Sequence, residues 1–268
     1  DAFQIDPREL AAVIWDALAE SIKAAMFEEG RAIPEKLDAF GLPAQTPPPY
    51  LQERAVIQVN APKVSIVICT RDRPDRLTDC LKSLRRLNYP NYEVIVVDNA
   101  PTTDDTRDLI HEQFADVRYI RTPVPGLSRA RNIGLGAANG EIIAFTDDDV
   151  SVDKHWLADL VRGFQAGEGI GCVTGLTLPA ELETPAQVWY QEQRGAQTFT
   201  RRIFDRSNGA THDPMLPFRV STLAAGMNMA FKAEVLRAIG GFDEALGIGT
   251  DAHAGEDHAA YYDLLHAG

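Results

Sequence analysis

Three successive acids, Asp147, Asp148 and Asp149, follow the apolar run "EIIAF". Like charges side by side at the end of a buried strand repel one another, so something positive has to offset them. One reading is helix capping, since the first turn of a helix favours negative charge by about 0.3–1 kcal/mol. That explains a single acid, such as Asp153 ahead of "KHWLADL", better than three adjacent ones. The other reading is a divalent cation. Alternate residues of an extended chain point to opposite sides, so Asp147 and Asp149 share a side only where the strand is already turning. In such a turn both could face one Mg2+ or Mn2+. These ions take oxygen ligands, and Mg2+ is typically bound by one or two carboxylates together with substrate phosphates.

A second pair of acids, Glu256 and Asp257 in "GEDH", opens the last helix expected from the pattern. Acids in a first turn are ordinary structure. Facing a crevice, one of them could instead take a proton from a substrate hydroxyl, a role worth roughly 10²–10⁴ in rate. The segment "GLSRARNIGL" sets Arg129 and Arg131 just inside a helix start, where guanidinium groups either form surface ion pairs or hold a phosphate. Asn132 is assigned to local packing. Two look-alikes fail on spacing. "GLGAANG" (134–140) has one residue too many for a dinucleotide fingerprint and precedes a strand. "HAGEDH" (253–258) carries an extra Asp257 within the inverted zinc-protease pattern.

Short β-branched runs alternate with helices of about ten residues. "VSIVIC" (64–69), "EVIVVD" (93–98), "VRYI" (117–120), "IIAFT" (142–146) and "GCVTG" (171–175) read as strands. Helices are expected over about 76–87, 104–114, 128–138 and 154–165. The pattern predicts an α/β fold with a mostly parallel sheet covered on both faces. Ligands of such sheets bind beyond the carboxyl ends of the strands. Thr70, Arg71 and Asp72 stand at that edge after the first strand, Asp98 and Asn99 after the second, and Asp147–Asp149 after the fourth. Beyond residue 176 the rhythm becomes irregular until "GMNMAF", read as a buried strand, and a helix over 233–239.

Ahead of this region, residues 6–29 show one apolar helical stripe, with Asp6 and Glu9 at capping-box spacing and Gly30 as a stop. The helix is expected to pack on the neighbouring domain. "GLPAQTPPPYLQ" is then expected to run extended as a connector. The division is therefore 1–60, helix and proline-rich linker, and 61–268, the α/β domain. With 39 acids against 26 bases the formal charge is −13, which disfavours nucleic acid and favours a bound cation. Three cysteines in apolar settings read as reduced core thiols. No apolar run approaches the roughly 20 residues that span a bilayer, and the N-terminus does not read as a signal peptide. The expectation is a cytoplasmic protein, free or at the membrane surface.

Taken in order, "VSIVICTRDRPDRLTDCLKSL", "YEVIVVDNAPTTDDT", "VPGLSRARNIGL", "GEIIAFTDDDV", "GMNMAFKAEVLRAIGGFDE" and "GED" resemble an inverting glycosyltransferase of family 2 with the GT-A fold, over about residues 62–268. The resemblance implies a UDP-, GDP- or dTDP-type sugar donor, Mg2+ or Mn2+, and an acceptor hydroxyl on a glycan, a lipid-linked sugar or a small molecule. By position, Thr70, Arg71, Asp72, Asp98 and Asn99 would line the nucleoside side, and Arg129, Arg131, Asp148 and Gly226 would contact the nucleotide sugar. Asp147 and Asp149 would serve the ribose and the metal-pyrophosphate, and Asp257, beside Glu256, would be the acceptor-side base. Family members commonly continue through another strand to a histidine that completes the metal site. This chain stops at Gly268, so either it is a fragment or fewer ligands hold the metal. Two rival readings remain open. A sugar-nucleotide-forming nucleotidyltransferase would need a glycine- and lysine-rich loop that "CTRDRPDRL" lacks, and a non-catalytic domain would bind a nucleotide sugar without transfer.

Overall fold

The computed structural model describes residues 6–28, 32–39, 41, 49–194, 201–204 and 226–267. The chain divides into two compact units, Asp1–Val56 and Ile57–Gly268. In the first, α1 (Pro7–Glu28) starts on a proline, and the Asp6 carboxylate accepts the Arg8 N–H at 2.7 Å. Gly30 and most of the proline-rich stretch lie outside the described residues. The end of that stretch corrects the expectation of extended chain, because residues 49–52 form the first turn of α2 (Pro49–Val59). A proline in a first turn loses no helical hydrogen bond, so the last residue of a proline run can open a helix.

The second unit carries six strands: β1 (Val64–Thr70), β2 (Tyr92–Asn99), β3 (Arg118–Thr122), β4 (Ile142–Asp147), β5 (Cys172–Thr174) and β6 (Asn228–Lys232). Their order across the sheet is β3-β2-β1-β4-β6-β5. The first four are parallel, and β6 runs antiparallel between β4 and β5. Helices α3 (Pro74–Leu84), α4 (Asp105–Gln113), α5 (Leu127–Ala137) and α6 (Trp156–Phe164) connect the strands, and α8 (Ala233–Ala238) and α9 (Glu256–Ala267) follow β6.

Side-chain alternation explains why the central strands are apolar throughout. Ile66, Ile68, Val94, Val96, Ile142 and Ala144 enter one core, and Val67, Ile95, Val97, Ile143 and Phe145 enter the core on the other face. A Cβ on Gly134 would stand 2.3 Å from Val67 Cγ1, so α5 lies hard against β1. The glycines that imitate a dinucleotide fingerprint include this packing position. Cys69 and Cys80 are free thiols, each pushed up to about 12 by burial.

The stretch expected to be irregular after residue 176 contains α7 (Pro185–Arg194). Thr184 and Gln187 cap it reciprocally: Gln187 Oε1 accepts the Thr184 N–H at 2.8 Å, and Thr184 Oγ1 accepts the Gln187 N–H at 3.3 Å. "TPAQ" is thus a capping-box spacing within a stretch whose hydrophobic rhythm is otherwise irregular.

At the amino edge of the sheet, Glu93 accepts hydrogen bonds from Ser65 Oγ (2.6 Å) and from the Asn139 backbone (2.8 Å) and side chain (3.2 Å), with Lys63 at 3.4 Å. Burial by itself raises this carboxyl, but the bonds outweigh it and bring the group down to about 2. A depressed carboxyl stabilises the fold above its unfolded pKa of about 4.3, and that contribution fades as pH falls from about 4 toward 2. Glu93→Gln is expected to cost about 1–3 kcal/mol near neutrality. It should also flatten the acid limb of a stability-versus-pH curve measured by urea unfolding, and an unchanged acid limb would contradict this.

Candidate active site

Strand order reverses beside β1: the chain proceeds outward through β2 and β3, then returns to lay β4 on the other flank. Such a switch opens a crevice at the carboxyl ends of the two strands. Thr70 ends β1 and Asp147 ends β4, in register one residue apart. The chain turns immediately afterwards, with the Val150 N–H reaching the Asp147 carbonyl at 3.3 Å.

Beyond that turn the three acids differ in partners and exposure. Asp148 is fully buried, and its Oδ2 accepts the Thr70 hydroxyl at 2.6 Å across the switch point. Its Oδ1 forms an ion pair with Arg73 Nη2, also at 2.6 Å. Arg73 Nη1 is 3.4 Å from Asp149 Oδ2, and Arg131 Nη2 is 4.0 Å from Asp147 Oδ1. Two arginines from distant parts of the chain thus supply the positive charge that the acids require. Burial raises the Asp147 carboxyl, with Arg131 pulling it back and its acidic neighbours adding to the rise. Burial also raises Asp148, opposed by the Thr70 hydrogen bond and by Arg73.

The donor set suits a hard divalent ion. The side chains of Asp147 and Asp149 are 38% and 47% exposed, so solvent and solutes reach both, whereas Asp148 is out of reach. Among the described residues no group of three or more His, Cys, Asp or Glu forms a closed cage. Two open carboxylates fit Mg2+ or Mn2+ bound jointly with phosphate and water.

On the β2 side of the crevice, Asp98 is fully buried and accepts the Tyr119 hydroxyl on Oδ2 at 2.8 Å. Its Oδ1 is buried and has no hydrogen-bond partner among the described residues, an unsatisfied acceptor at the end of β2. Burial raises this carboxyl, against the Tyr119 bond. Asp72 and Ala100, at the exits of β1 and β2, take left-handed φ values of 54° and 51°. The Asp72 carboxylate accepts the Thr102 N–H at 2.8 Å and so ties the two exits together. Arg71 is half-exposed, its Nε 3.8 Å from Asp72. Asn99 accepts the Gly126 N–H at 3.1 Å, which positions the start of α5.

On the other side, α5 delivers Arg131 and α9 delivers Glu256 and Asp257. Arg131 is buried, with Nη1 on Glu256 Oε1 at 2.8 Å and its guanidinium 5.4 Å from the centre of the Phe242 ring. A Cβ on Gly226 would stand 3.0 Å from both Arg131 Nη2 and Asp257 Oδ2, so the glycine lets the chain pass between them. Asp257 Oδ1 accepts the His258 N–H at 2.8 Å. The predicted residues Gly226, Arg131, Asp147, Glu256 and Asp257 therefore meet in one place. Arg129 does not join them; it pairs with Glu244 at 2.8 Å. Asn132 turns to local packing, bonding Phe242 through both its Nδ2 and its Oδ1 at 2.8 Å. Arg73 belongs to the site and was not singled out in the sequence. Its signal was available: a basic residue two positions beyond Arg71 and immediately before the proline that opens α3.

A family model described as glycosyl transferase family 2 matches residues 65–233, from β1 to the first residue of α8. The chain belongs to glycosyl transferase family 2. The match contains Asp98 and the three aspartates, while Glu256 and Asp257 lie beyond it. Among curated relatives of this family 2 chain, the O-antigen biosynthesis protein RfbC of Myxococcus xanthus is 34% identical over 154 residues, 53% of this chain and 12% of that protein. The pre-mycofactocin glycosyltransferase of Mycobacterium tuberculosis is 26% identical over 206 residues, 76% of this chain and 39% of that protein. The chain thus spans less than half the length of either relative. A solved mannosyltransferase from Pyrobaculum calidifontis, in complex with GDP-Man and Mn2+, superposes with a TM-score of 0.50 at 20% identity, covering 80% of this chain and 60% of that one. TarS 1-349 of S. aureus in complex with UDP-GlcNAc gives 0.53 at 17% identity, covering 76% and 53%. These likenesses bear out the GT-A type of α/β fold. Among the described residues, no helix is long and apolar enough to cross a membrane.

Proposed function

We propose that this chain transfers a sugar from a nucleotide-diphosphate donor to an acceptor hydroxyl with inversion at the anomeric carbon, assisted by Mg2+ or Mn2+. The reading is carried by one observation: Arg131 lies between Asp147 at the donor crevice and the Glu256–Asp257 pair at the head of α9. Asp98, with its unpartnered Oδ1, receives donors of the nucleoside, and Thr70 and Asp148 brace the crevice floor. Asp147 and Asp149 hold the cation, which when bound neutralises charge growing on the departing diphosphate. Glu256 is bound to a guanidinium and serves to hold Arg131. Asp257 brings its Oδ2 beside Gly226, at the point that Arg131 Nη2 also approaches, and it takes the acceptor proton. A base on the face opposite the leaving group gives in-line displacement and hence inversion.

The solved neighbours in complex with GDP-Man and Mn2+ and with UDP-GlcNAc support the donor class. The test is calorimetric titration of UDP, GDP, dTDP and CDP with and without Mn2+. One nucleotide is expected to bind about 5- to 150-fold more tightly with the ion, the usual range for coupled ligands. The Asp147→Asn/Asp149→Asn double variant should lose that enhancement. Wild-type affinity indifferent to Mn2+ for all four nucleotides would overturn the reading.

A further inference from the structure

Arg73 makes two unequal contacts. Its Nη2 sits 2.6 Å from the fully buried Asp148, which Thr70 also holds, while its Nη1 sits 3.4 Å from the half-exposed Asp149. The first contact is sheltered, and the second is a longer pair at the solvent boundary, where ion pairs are weakly held. The backbone beneath is fixed: Arg73 is the residue before α3, its carbonyl accepts the Leu77 N–H at 3.1 Å, and Pro74 follows. Its side chain is half-exposed and reaches from the exit of β1 to the exit of β4. A long, half-exposed cation therefore already sits on a carboxylate assigned to the divalent ion.

We propose that Arg73 is an internal stand-in for the metal. It occupies Asp149 in the unliganded protein and, when nucleotide diphosphate and metal bind, yields that carboxylate and turns its outer nitrogen to a donor phosphate. The inference rests on the preceding assignment of Asp147 and Asp149 to the cation and the diphosphate. It has a physical consequence that the assignment alone lacks. A divalent ion arriving alone meets a resident positive charge at its own ligand, whereas an ion arriving with the diphosphate brings a better partner for the guanidinium. Metal and nucleotide then strengthen each other's binding through Arg73, and the coupling is reciprocal. The acids also never stand bare, which reconciles three adjacent carboxylates with a stable apo fold.

The experiment measures Mn2+ binding to the full chain by calorimetry and by the loss of the free-ion electron paramagnetic resonance signal, first without nucleotide. Removing a unit charge beside a doubly charged ion is worth about tenfold in affinity even at the dielectric of water. Arg73→Gln is accordingly expected to bind Mn2+ alone about tenfold more tightly than wild type, and Arg73→Lys, which keeps the charge, to stay near wild type. Adding Asp149→Asn to Arg73→Gln should erase the gain. With nucleotide diphosphate present, the factor by which it tightens Mn2+ binding should shrink in Arg73→Gln. Circular dichroism and the thermal midpoint establish that each variant is folded. Mn2+ binding to folded Arg73→Gln that is no tighter than wild type overturns the proposal, as does a gain that survives Asp149→Asn. Failure of the donor assignment looks different: wild type would then show no Mn2+ enhancement by any nucleotide, whatever Arg73→Gln does with Mn2+ alone.

Discussion

Asp257→Asn is expected to lower turnover by about 10²- to 10⁴-fold, the range over which a positioned base contributes, while the affinity for nucleotide diphosphate and Mn2+ stays at the wild-type value. The amide keeps the shape and can still accept the His258 N–H that Oδ1 accepts at 2.8 Å, so α9 should start where it does now. What it loses is the ability to take a proton. Glu256 is a poor substitute despite its adjacency, because its carboxylate is buried against Arg131 at 2.8 Å. Abstracting a proton there would break a buried ion pair and leave the guanidinium without its partner. The measurement is single-turnover transfer from a donor identified by the nucleotide titration, alongside calorimetry with the nucleoside diphosphate. A variant with normal turnover removes Asp257 from the role of base. A variant that is inactive but no longer binds nucleotide shows that the residue shapes the donor site instead.

The strands of the sheet were legible because burial on both faces leaves runs such as "VSIVIC" and "EVIVVD" with almost no polar residue, a pattern that loops and amphipathic helices do not share. Expected strands 64–69 and 142–146 became 64–70 and 142–147, and the differences of one to three residues at helix ends reflect caps rather than periodicity. The antiparallel setting of β6 was not legible, because the partner of a strand is chosen by pairing over long distances and not by its own composition. Helix α2 opens on a proline that reads as a breaker although its place in a first turn makes it a start, and α7 is announced only by the short Thr184–Gln187 capping box. At the site, the acids were visible as a cluster, but their division of labour was not. Which of three consecutive aspartates turns inward depends on where β4 stops, and the cations that answer them, Arg73 and Arg131, come from segments 76 and 16 residues away from Asp149 and Asp147. By sequence alone, metal and diphosphate are the counter-charge that the three acids call for. The folded chain supplies much of it by itself.

Arg131 is the residue on which the fold and the site depend together, and Arg131→Met is expected to destabilise the domain by about 3–5 kcal/mol, the usual cost of removing one partner of a buried ion pair. Its side chain is about 5% exposed and holds a Glu256 side chain that is about 9% exposed, so the acid is left without compensation in a place water does not reach. Methionine keeps much of the length and can still fill the space over the Phe242 ring, although the cation–π contact goes with the guanidinium. The diagnostic variant is Arg131→Met with Glu256→Gln. Neutralising the stranded acid is expected to recover most of the loss, since replacing both members of a buried pair is often close to neutral, whereas replacing one is not. Urea unfolding of wild type and of the two variants, fitted with a common slope, measures this. A single variant within about 1 kcal/mol of wild type, or a double variant no more stable than the single, would show that the 2.8 Å contact between α5 and α9 is not what holds the head of the last helix against the crevice. If the double variant is stable yet slow in transfer while Glu256→Gln alone transfers at the wild-type rate, the guanidinium acts on the diphosphate beyond its structural duty, because only the missing charge beside Asp147 then accounts for the loss.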